Sequence, residues 1–342
     1  MITVLLDKAE FEYDIHSLVK AFYPKEEVYV STKDKEKKEE PVHYHMDVQF
    51  APEEIIFFWK KVEPSEENEN QTGITKRVAV DYTNRKETKN SLKRTLYRLL
   101  SEYTGVELPW GNLTGIRPTK IPMALLEEGK SEEEIAHYMK ETYFTSDEKI
   151  KLSIEIAERE LQLLKKLDYE EGYSLYIGIP FCPTTCLYCS FTSYSLAAWK
   201  NRMDEYLDAL EKELDYTAVK FAHKKLNSIY IGGGTPTTLN PQQLDRLIRK
   251  IKCSFDLSHL VEFTVEAGRP DSITKEKLMV LRNHDISRIS INPQTMKQET
   301  LDLIGRHHTV QQTIDSFNLA RELGFDNINM DLIVGLPGES LS

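Results

Sequence analysis

From residue 173 onward, short apolar segments alternate with longer amphipathic ones, and this rhythm constrains the fold more than any other feature of the chain. The apolar segments are residues 173–179, 228–231, 261–266, 288–292 and 327–334. Between the first two, Trp199, Met203, Tyr206, Leu207, Leu210 and Leu214 recur at helical spacing. Parallel strands need a crossover, and a helix both supplies it and covers the sheet, so the pattern predicts parallel β/α units with about five strands. Each strand ends where an unusual polar or glycine-rich stretch begins. In β/α barrels, chemistry sits at those C-terminal strand ends.

The first strand end carries Cys182-Pro183-Thr184-Thr185-Cys186-Leu187-Tyr188-Cys189. Three of the four cysteines of the chain fall within these eight residues. A secreted disulfide framework would spread them as stabilising pairs, so the cluster points to metal or redox chemistry. Three thiolates at this spacing suit a loop wrapped around one cubane, one sulfur per iron. An electron-transfer cubane takes four cysteines, whereas three leave one iron open. The alternative is a structural zinc site completed by a distant histidine, although only Cys186 and Cys189 form a paired ligand set. Cys253, in Ile251-Lys252-Cys253-Ser254-Phe255, reads as a packing residue at the end of a helical pattern.

The other strand ends are individually less specific. Gly232-Gly233-Gly234-Thr235-Pro236 brings bare backbone close to a ligand, or simply makes a tight turn. It matches neither the dinucleotide fingerprint nor the lysine-containing phosphate loop. Glu266 could meet a ribose diol or an ammonium; its bland reading is a surface carboxylate paired with Arg269. Gln294, in Asn292-Pro293-Gln294, suits ribose hydroxyls, or is an ordinary loop glutamine. Asp331 interrupts an apolar strand, where a charge is costly without a partner. His307 and His308, beside Arg306, read as solvated or locally hydrogen-bonded rather than as metal ligands.

The cysteine spacing resembles the radical S-adenosylmethionine signature. Tyr176-Ile177-Gly178-Ile179-Pro180-Phe181-Cys182 is similar to the oxygen-independent coproporphyrinogen III oxidase family and its relatives, the heme chaperones derived from radical enzymes. The similarity runs from about Leu175 to the end of the chain. Residues 110–120, beginning Trp110-Gly111-Asn112, and Glu266-Ala267-Gly268-Arg269-Pro270-Asp271 resemble a narrower branch, the coproporphyrinogen dehydrogenases with an extra N-terminal domain.

That resemblance implies an α/β fold, a partial (β/α)6 radical SAM barrel preceded by a smaller α+β domain. It implies a [4Fe–4S] cluster on Cys182, Cys186 and Cys189, with S-adenosyl-L-methionine as second cofactor. Gly233, Gly234 and Thr235 would lie at the methionyl amino group, and Arg306 would pair with the cofactor carboxylate. Asp331 would hold the ribose and Phe191 would stack beside the adenine, with core packing as its bland alternative. Tyr176, Glu266 and Gln294 complete the implied cofactor set; no catalytic residue is assigned. The implied reaction belongs to anaerobic heme biosynthesis. A 5′-deoxyadenosyl radical takes hydrogen from the β-carbon of a propionate, and loss of CO₂ and an electron leaves a vinyl group. Two such steps convert coproporphyrinogen III to protoporphyrinogen IX, with an electron donor such as flavodoxin or ferredoxin. Gly178 stands where the oxidases tend to have His, and Ser190-Phe191 where they tend to have Gly-Cys. The Ser-Phe pair looks more like the chaperone branch, so a heme-binding chaperone with a cluster and no decarboxylase activity is the alternative.

The first half is less regular. Strand-like runs occupy residues 2–6, 42–50, 54–61 and 77–82, and the charged stretches 33–40 and 63–73 read as solvated loops. A helix is expected over 89–103, with Leu92, Leu96, Leu99 and Leu100 on one face. Pro109-Trp110-Gly111 breaks the pattern; helical segments follow at 122–128, 131–141 and 146–166, the second with Ser131 and Glu134 as a capping box. The expected division is an N-terminal α+β domain with a helical linker over 1–165, of unknown role, and the barrel over 166–342. The family barrel has six strands and a C-terminal module, so a chain stopping at Ser342 is expected to be a fragment. Arg117 and Lys120, beside a glycine-containing turn, could meet substrate propionates or be merely solvated.

The formal charge of −11 argues against nucleic-acid or anionic-membrane partners, which want a basic face. The N-terminus lacks a basic leader region, and Ile55-Ile56-Phe57-Phe58-Trp59 falls far short of a membrane span. A cytoplasmic location is expected.

Overall fold

The computed structural model describes residues 1–32, 41–62, 73–165 and 167–340. The chain divides into two compact units, Met1–Leu163 and Leu164–Ser342. The charged stretch 33–40, residues 63–72 of the second stretch and Lys166 at the end of the last expected helix lie outside the described residues.

The first unit contains β1 (Ile2–Leu6), α1 (Glu12–Phe22), β2 (Val28–Thr32), β3 (Tyr44–Phe50), β4 (Glu54–Lys61) and β5 (Ile74–Ala79), followed by α2 (Arg85–Thr104). Its sheet runs β2-β1-β3-β4-β5, parallel on both sides of β1 and antiparallel from β3 to β5. One face is buried, as the alternation along β1 and β4 requires: Ile55, Phe57 and Trp59 point inward and are fully buried. Ile15, Leu18, Val19 and Phe22 of α1, with Leu92, Leu96, Leu99 and Leu100 of α2, complete that core.

Three expectations here need correction. Strand β2 and helix α1 are additional elements. Helix α1 follows Phe11, a left-handed N-cap without a side-chain bond, so its start lacks the polar cap, although Glu12 and Asp14 stand in its first turn. Strand β5 lies at 74–79 rather than 77–82, because its register follows β4 (Ile55 opposite Val78) and Asp81 folds back to accept from the Thr83 backbone.

After α2 come α3 (Lys120–Glu127), α4 (Glu132–Tyr143) and α5 (Asp147–Leu164). Ser131 caps α4, and the reciprocal bond from Glu134 completes the capping box. The turn that precedes α3 is pinned from α2, where Lys93 donates to Thr114 Oγ1 at 2.9 Å. Burial pulls the Lys93 ammonium down to about 8.

The second unit begins with β6 (Gly172–Ile179), then the short β7 (Phe181–Cys182) and β8 (Tyr194–Ser195), α6 (Leu196–Trp199) and α7 (Met203–Lys220). It continues through β9 (Lys225–Gly233), α8 (Pro241–Ser254), β10 (Glu262–Gly268), α9 (Lys275–Asn283), β11 (Arg288–Ile291), α10 (Gln298–Leu303), α11 (Val310–Glu322) and β12 (Ile328–Asn329). The five longer-range strands pair in parallel in the order β12-β11-β10-β9-β6, which is chain order read backwards. Sequential parallel strands with helical crossovers are the expected β/α progression. Leu207, Leu210 and Leu214 of α7 and Leu244, Leu247, Ile248 and Ile251 of α8 pack on the sheet.

The last strand is shorter than the apolar run at 327–334 suggested. Only Ile328 and Asn329 are in β12, paired with Ile289 and Ser290. Asp331 therefore sits beyond the strand and is exposed, as are Leu332 and Val334, rather than being a charge within a buried strand. Cys253 is likewise exposed instead of packed, because the apolar face of α8 is already supplied by Leu244, Leu247, Ile248 and Ile251. No described helix is long and apolar enough to cross a membrane.

Candidate cluster and cofactor site

The C-terminal ends of β6, β9, β10 and β11 surround one cavity of about 250 Å3. Its wall includes Cys182, Cys186 and Cys189 from the loop after β6, and Gly233, Gly234 and Thr235 from the loop after β9. Glu266, Gln294 and Asp331 come from the ends of the later strands, Arg306 from the loop after α10, and Phe191 stands at its rim. Register explains the convergence: Gly178 pairs with Gly232 and Ile179 with Gly233, so two loops leave adjacent strands at one level.

The cysteine loop is held by backbone bonds. Leu187 N–H donates to Ile304 C=O at 3.0 Å, and Cys189 N–H to Cys186 C=O at 3.0 Å. Thr235 is buried, with Oγ1 3.5 Å from Cys182 Sγ. Burial pushes the Cys182 thiol upward, while Thr235 and the positive charge of Arg269 pull it back. The thiols are partly accessible, as ligands to an incoming cluster must be.

The glycines are required by close approach. Gly233 has φ +106°, and a Cβ there would lie 3.0 Å from Ile179 N. At Gly234 a Cβ would meet Phe181 O at 2.8 Å and Cys182 Sγ at 3.0 Å. Any side chain would thus fill the cradle beside the cysteine loop. The Gly234 N–H donates instead to Ile179 C=O at 2.8 Å.

Glu266 is half-buried, and its carboxyl is pushed up to about 7, first by burial and then by the negative charge of Asp331. The Gly233 N–H and Arg306 oppose that rise. Arg306 is buried, donating from Nη1 to Asn292 C=O at 2.6 Å, while its buried Nε has no partner among the described residues. Gln294 adopts a left-handed backbone at φ +67°, uncommon outside glycine and a mark of local constraint. Its N–H donates to Asp331 C=O, and Ile333 N–H donates to Gln294 C=O, which ties the two strand ends together.

Tyr176 is the one expected cofactor residue outside this cavity. It is 61% exposed and lines a neighbouring cavity of about 460 Å3 with Gly178, Phe191 and Gly233. Its ring stacks on Tyr230, 5.8 Å between centroids and 9° between planes. Phe191 is 71% exposed, so core packing does not account for it.

Two bland expectations are replaced. Arg269 pairs with Asp271, not Glu266: Nε and Nη2 donate to its two carboxylate oxygens at 3.0 and 2.7 Å. Gly268, at φ +57°, turns the chain between Glu266 and Arg269. His308 is fully buried, and neither ring nitrogen has a partner among the described residues; burial pulls it down to about 4, so it is neutral near pH 7. The sequence reading also gave no role to Thr184, Tyr188 or Asn292, all on the cavity wall. Tyr188 and Thr184 lie between the cysteines, and that position was the available signal. Arg117 lies in the first unit, exposed and 3.6 Å from Glu160.

The donor set suits the two groups that the family resemblance implies. Three thiols offer one ligand each to three irons, and the glycine cradle, an unsatisfied arginine nitrogen and two carboxylates form the adjoining wall. Residues 176–342 match the radical SAM superfamily model, and this chain is a radical SAM protein whose cofactors are a [4Fe–4S] cluster and S-adenosylmethionine.

Within that superfamily its relatives are heme-related and include both coproporphyrinogen III oxidases and heme chaperones. The chain is 45% identical over 281 residues to the oxygen-independent coproporphyrinogen-III oxidase-like protein HemZ of Bacillus subtilis, covering 79% of this chain and 56% of that protein. It is 45% identical over 172 residues to the heme chaperone HemW of Bacillus subtilis, covering 49% and 44%. The oxygen-independent coproporphyrinogen III oxidase of Escherichia coli is 34% identical over 171 residues, covering 50% and 37%. A solved structure of coproporphyrinogen III oxidase from Escherichia coli aligns with a TM-score of 0.46 at 33% identity, over 52% of this chain and 41% of that one. The chain spans about half the length of the curated relatives it matches.

Proposed function

We propose that this chain carries the radical SAM part of an enzyme that oxidatively decarboxylates propionate side chains of coproporphyrinogen III under anaerobic conditions, giving protoporphyrinogen IX. One observation favours this over the chaperone reading. Similarity to the oxidase-like relative extends over 281 residues and so reaches into the first unit, whereas similarity to the chaperone spans 172.

In this reading Cys182, Cys186 and Cys189 hold the cluster, leaving one iron for the second cofactor. When bound, the pair supplies a reductively generated radical able to remove hydrogen from an unactivated carbon. The chain's own residues bind and orient. Arg306, already desolvated and with Nε unsatisfied, offers a planar donor to a carboxylate. Gly233 and Gly234 let backbone groups approach without side-chain obstruction, and Thr235 sets the depth of that approach. Glu266, Gln294 and Asp331 give acceptors, and in Gln294 a donor, on the opposite strand ends. Phe191 and Tyr176 present flat apolar faces at the rim, suited to an adenine or the edge of a tetrapyrrole. The protein contributes positioning and exclusion of side reactions; the radical chemistry belongs to the cofactors.

The second reading, a heme chaperone, is favoured by Ser190-Phe191, with Phe191 exposed at the rim. The test uses the full-length protein, reconstituted anaerobically with iron and sulfide and incubated with reductant, S-adenosylmethionine and coproporphyrinogen III. Vinyl products with 5′-deoxyadenosine support decarboxylation. 5′-Deoxyadenosine without vinyl products, accompanied by stoichiometric heme binding, moves the function to the chaperone.

A further inference from the structure

We propose that Arg269 is a positioning residue for the cluster: it pins the cysteine loop through Thr184 and holds a buried positive charge beside Cys182 and Cys186 that favours the reduced cluster. The proposal rests on the assignment of the three cysteines to the cluster.

Arg269 is 2% exposed. A buried guanidinium is costly unless its donors are used, and here the fork is divided between two tasks. Nε and Nη2 bind Asp271 in a bidentate pair. Nη1 donates to both the carbonyl and the hydroxyl oxygen of Thr184, at 3.1 and 2.9 Å. Thr184 lies between Cys182 and Cys186, so this bond reaches into the ligand loop from the end of β10, 85 residues away in sequence. The Thr184 hydroxyl passes the restraint on by donating to Gly305 C=O at 2.9 Å, next to Arg306. One side chain thereby ties the cysteine loop to the end of β10 and, through Thr184, to the loop after α10.

The second role follows from charge. Arg269 interacts through space with both Cys182 and Cys186, and each would be a thiolate with a cluster in place. Reduction adds a negative charge to the cluster. A fixed positive charge in a poorly screened site stabilises that state, and hydrogen bonding and net charge are established controls on cluster potentials. Asp271 offsets part of the charge but faces away from Thr184, on the other side of the fork. Lysine could keep the charge but not the divided geometry, since an ammonium is not a planar fork. The two roles are therefore separable.

The experiment compares the full chain, reconstituted anaerobically, with Arg269→Met, Arg269→Lys and Thr184→Val. Two quantities are read: the rate of iron release to a chelator and the midpoint potential of the cluster. Arg269→Met is expected to release iron about tenfold faster and to disfavour reduction by about tenfold, which is about 59 mV for a one-electron couple. Arg269→Lys and Thr184→Val are expected to release iron faster while keeping most of the potential. A merely structural role would change release and leave the potential of Arg269→Met at the wild-type value, overturning the charge claim. Unchanged release in Thr184→Val and Arg269→Lys overturns the pinning claim, including when Arg269→Met does not fold. Failure of the unsubstituted chain to take up iron and sulfide overturns the cysteine assignment instead.

Discussion

Glu266 gives the most direct test of the site electrostatics, because its proton reports both burial and the neighbouring charge of Asp331. Its carboxyl titrates at about 7 in the folded chain, against an ordinary 4.5. The folded chain therefore keeps this proton to a higher pH than the unfolded chain does. Stability is unaffected below 4.5, falls as pH rises from 4.5 to about 7, and stays reduced above that. The full interval corresponds to about 3 kcal/mol, and solvent screening of this half-buried group brings it to about 2 kcal/mol. Glu266→Gln removes the titration, so the variant should gain about 2 kcal/mol on the unsubstituted chain between pH 5 and pH 8. The assay is urea denaturation of the cluster-free chain at both pH values. Hydrogen exchange in peptides from β9 and β10 assigns the transition to the second unit. A stability difference between variant and parent that is the same at pH 5 and pH 8 refutes the reasoning.

Three further outcomes follow from particular contacts. Gly234→Ala places a methyl 2.8 Å from Phe181 O and 3.0 Å from Cys182 Sγ, and should cost about 1–3 kcal/mol and lower iron incorporation, read by iron and sulfide analysis. Cys186→Ala should abolish stable cluster assembly, whereas Cys253→Ser, at an exposed position, should leave the iron content at the parent level. Ser131→Ala removes the cap of α4 and should cost about 1 kcal/mol, seen as faster amide exchange in the first turn of that helix.

The sequence showed most where a physical period repeats. Strands β1 and β4 alternate cleanly between core and solvent, and their bounds were readable at 2–6 and 54–61. The parallel strands were readable because each apolar run stops at a glycine, a proline or a polar residue. Edges and turns were less legible. Strand β5 lies at a sheet edge with no buried residue, so its alternation carries little information. Strand β12 has its length set by pairing with β11, not by the apolar content of 327–334. Cys253 looked apolar but falls on the face of α8 that the sheet does not cover. Glu266 and Arg269 are close in sequence, yet the left-handed turn at Gly268 separates their partners.

Most of the site residues found from the sequence are polar or glycine where an apolar run ends; Phe191 and Tyr176, both exposed aromatics, are the exceptions. Gln294 is buried and Glu266 half-buried at the ends of strands otherwise built from Ile, Val and Phe. Arg306 is buried in the loop after α10, and Arg269, read from the sequence only as a partner for Glu266, is buried at the end of β10. Removing Arg269 alone would leave Asp271 without its partner, but an apolar set replacing both members of such a pair would serve the sheet as well, so stability does not explain why charges stand here. They are tolerated because each has a fixed partner on another strand end: Arg269 on Thr184, Arg306 on Asn292, Glu266 on the Gly233 N–H, and the Gln294 backbone on Asp331. The same bonds that offset desolvation hold the cavity wall rigid before any cofactor arrives. Pre-organisation of this kind matters most for radical chemistry, where a loosely held reactive species would attack the protein itself.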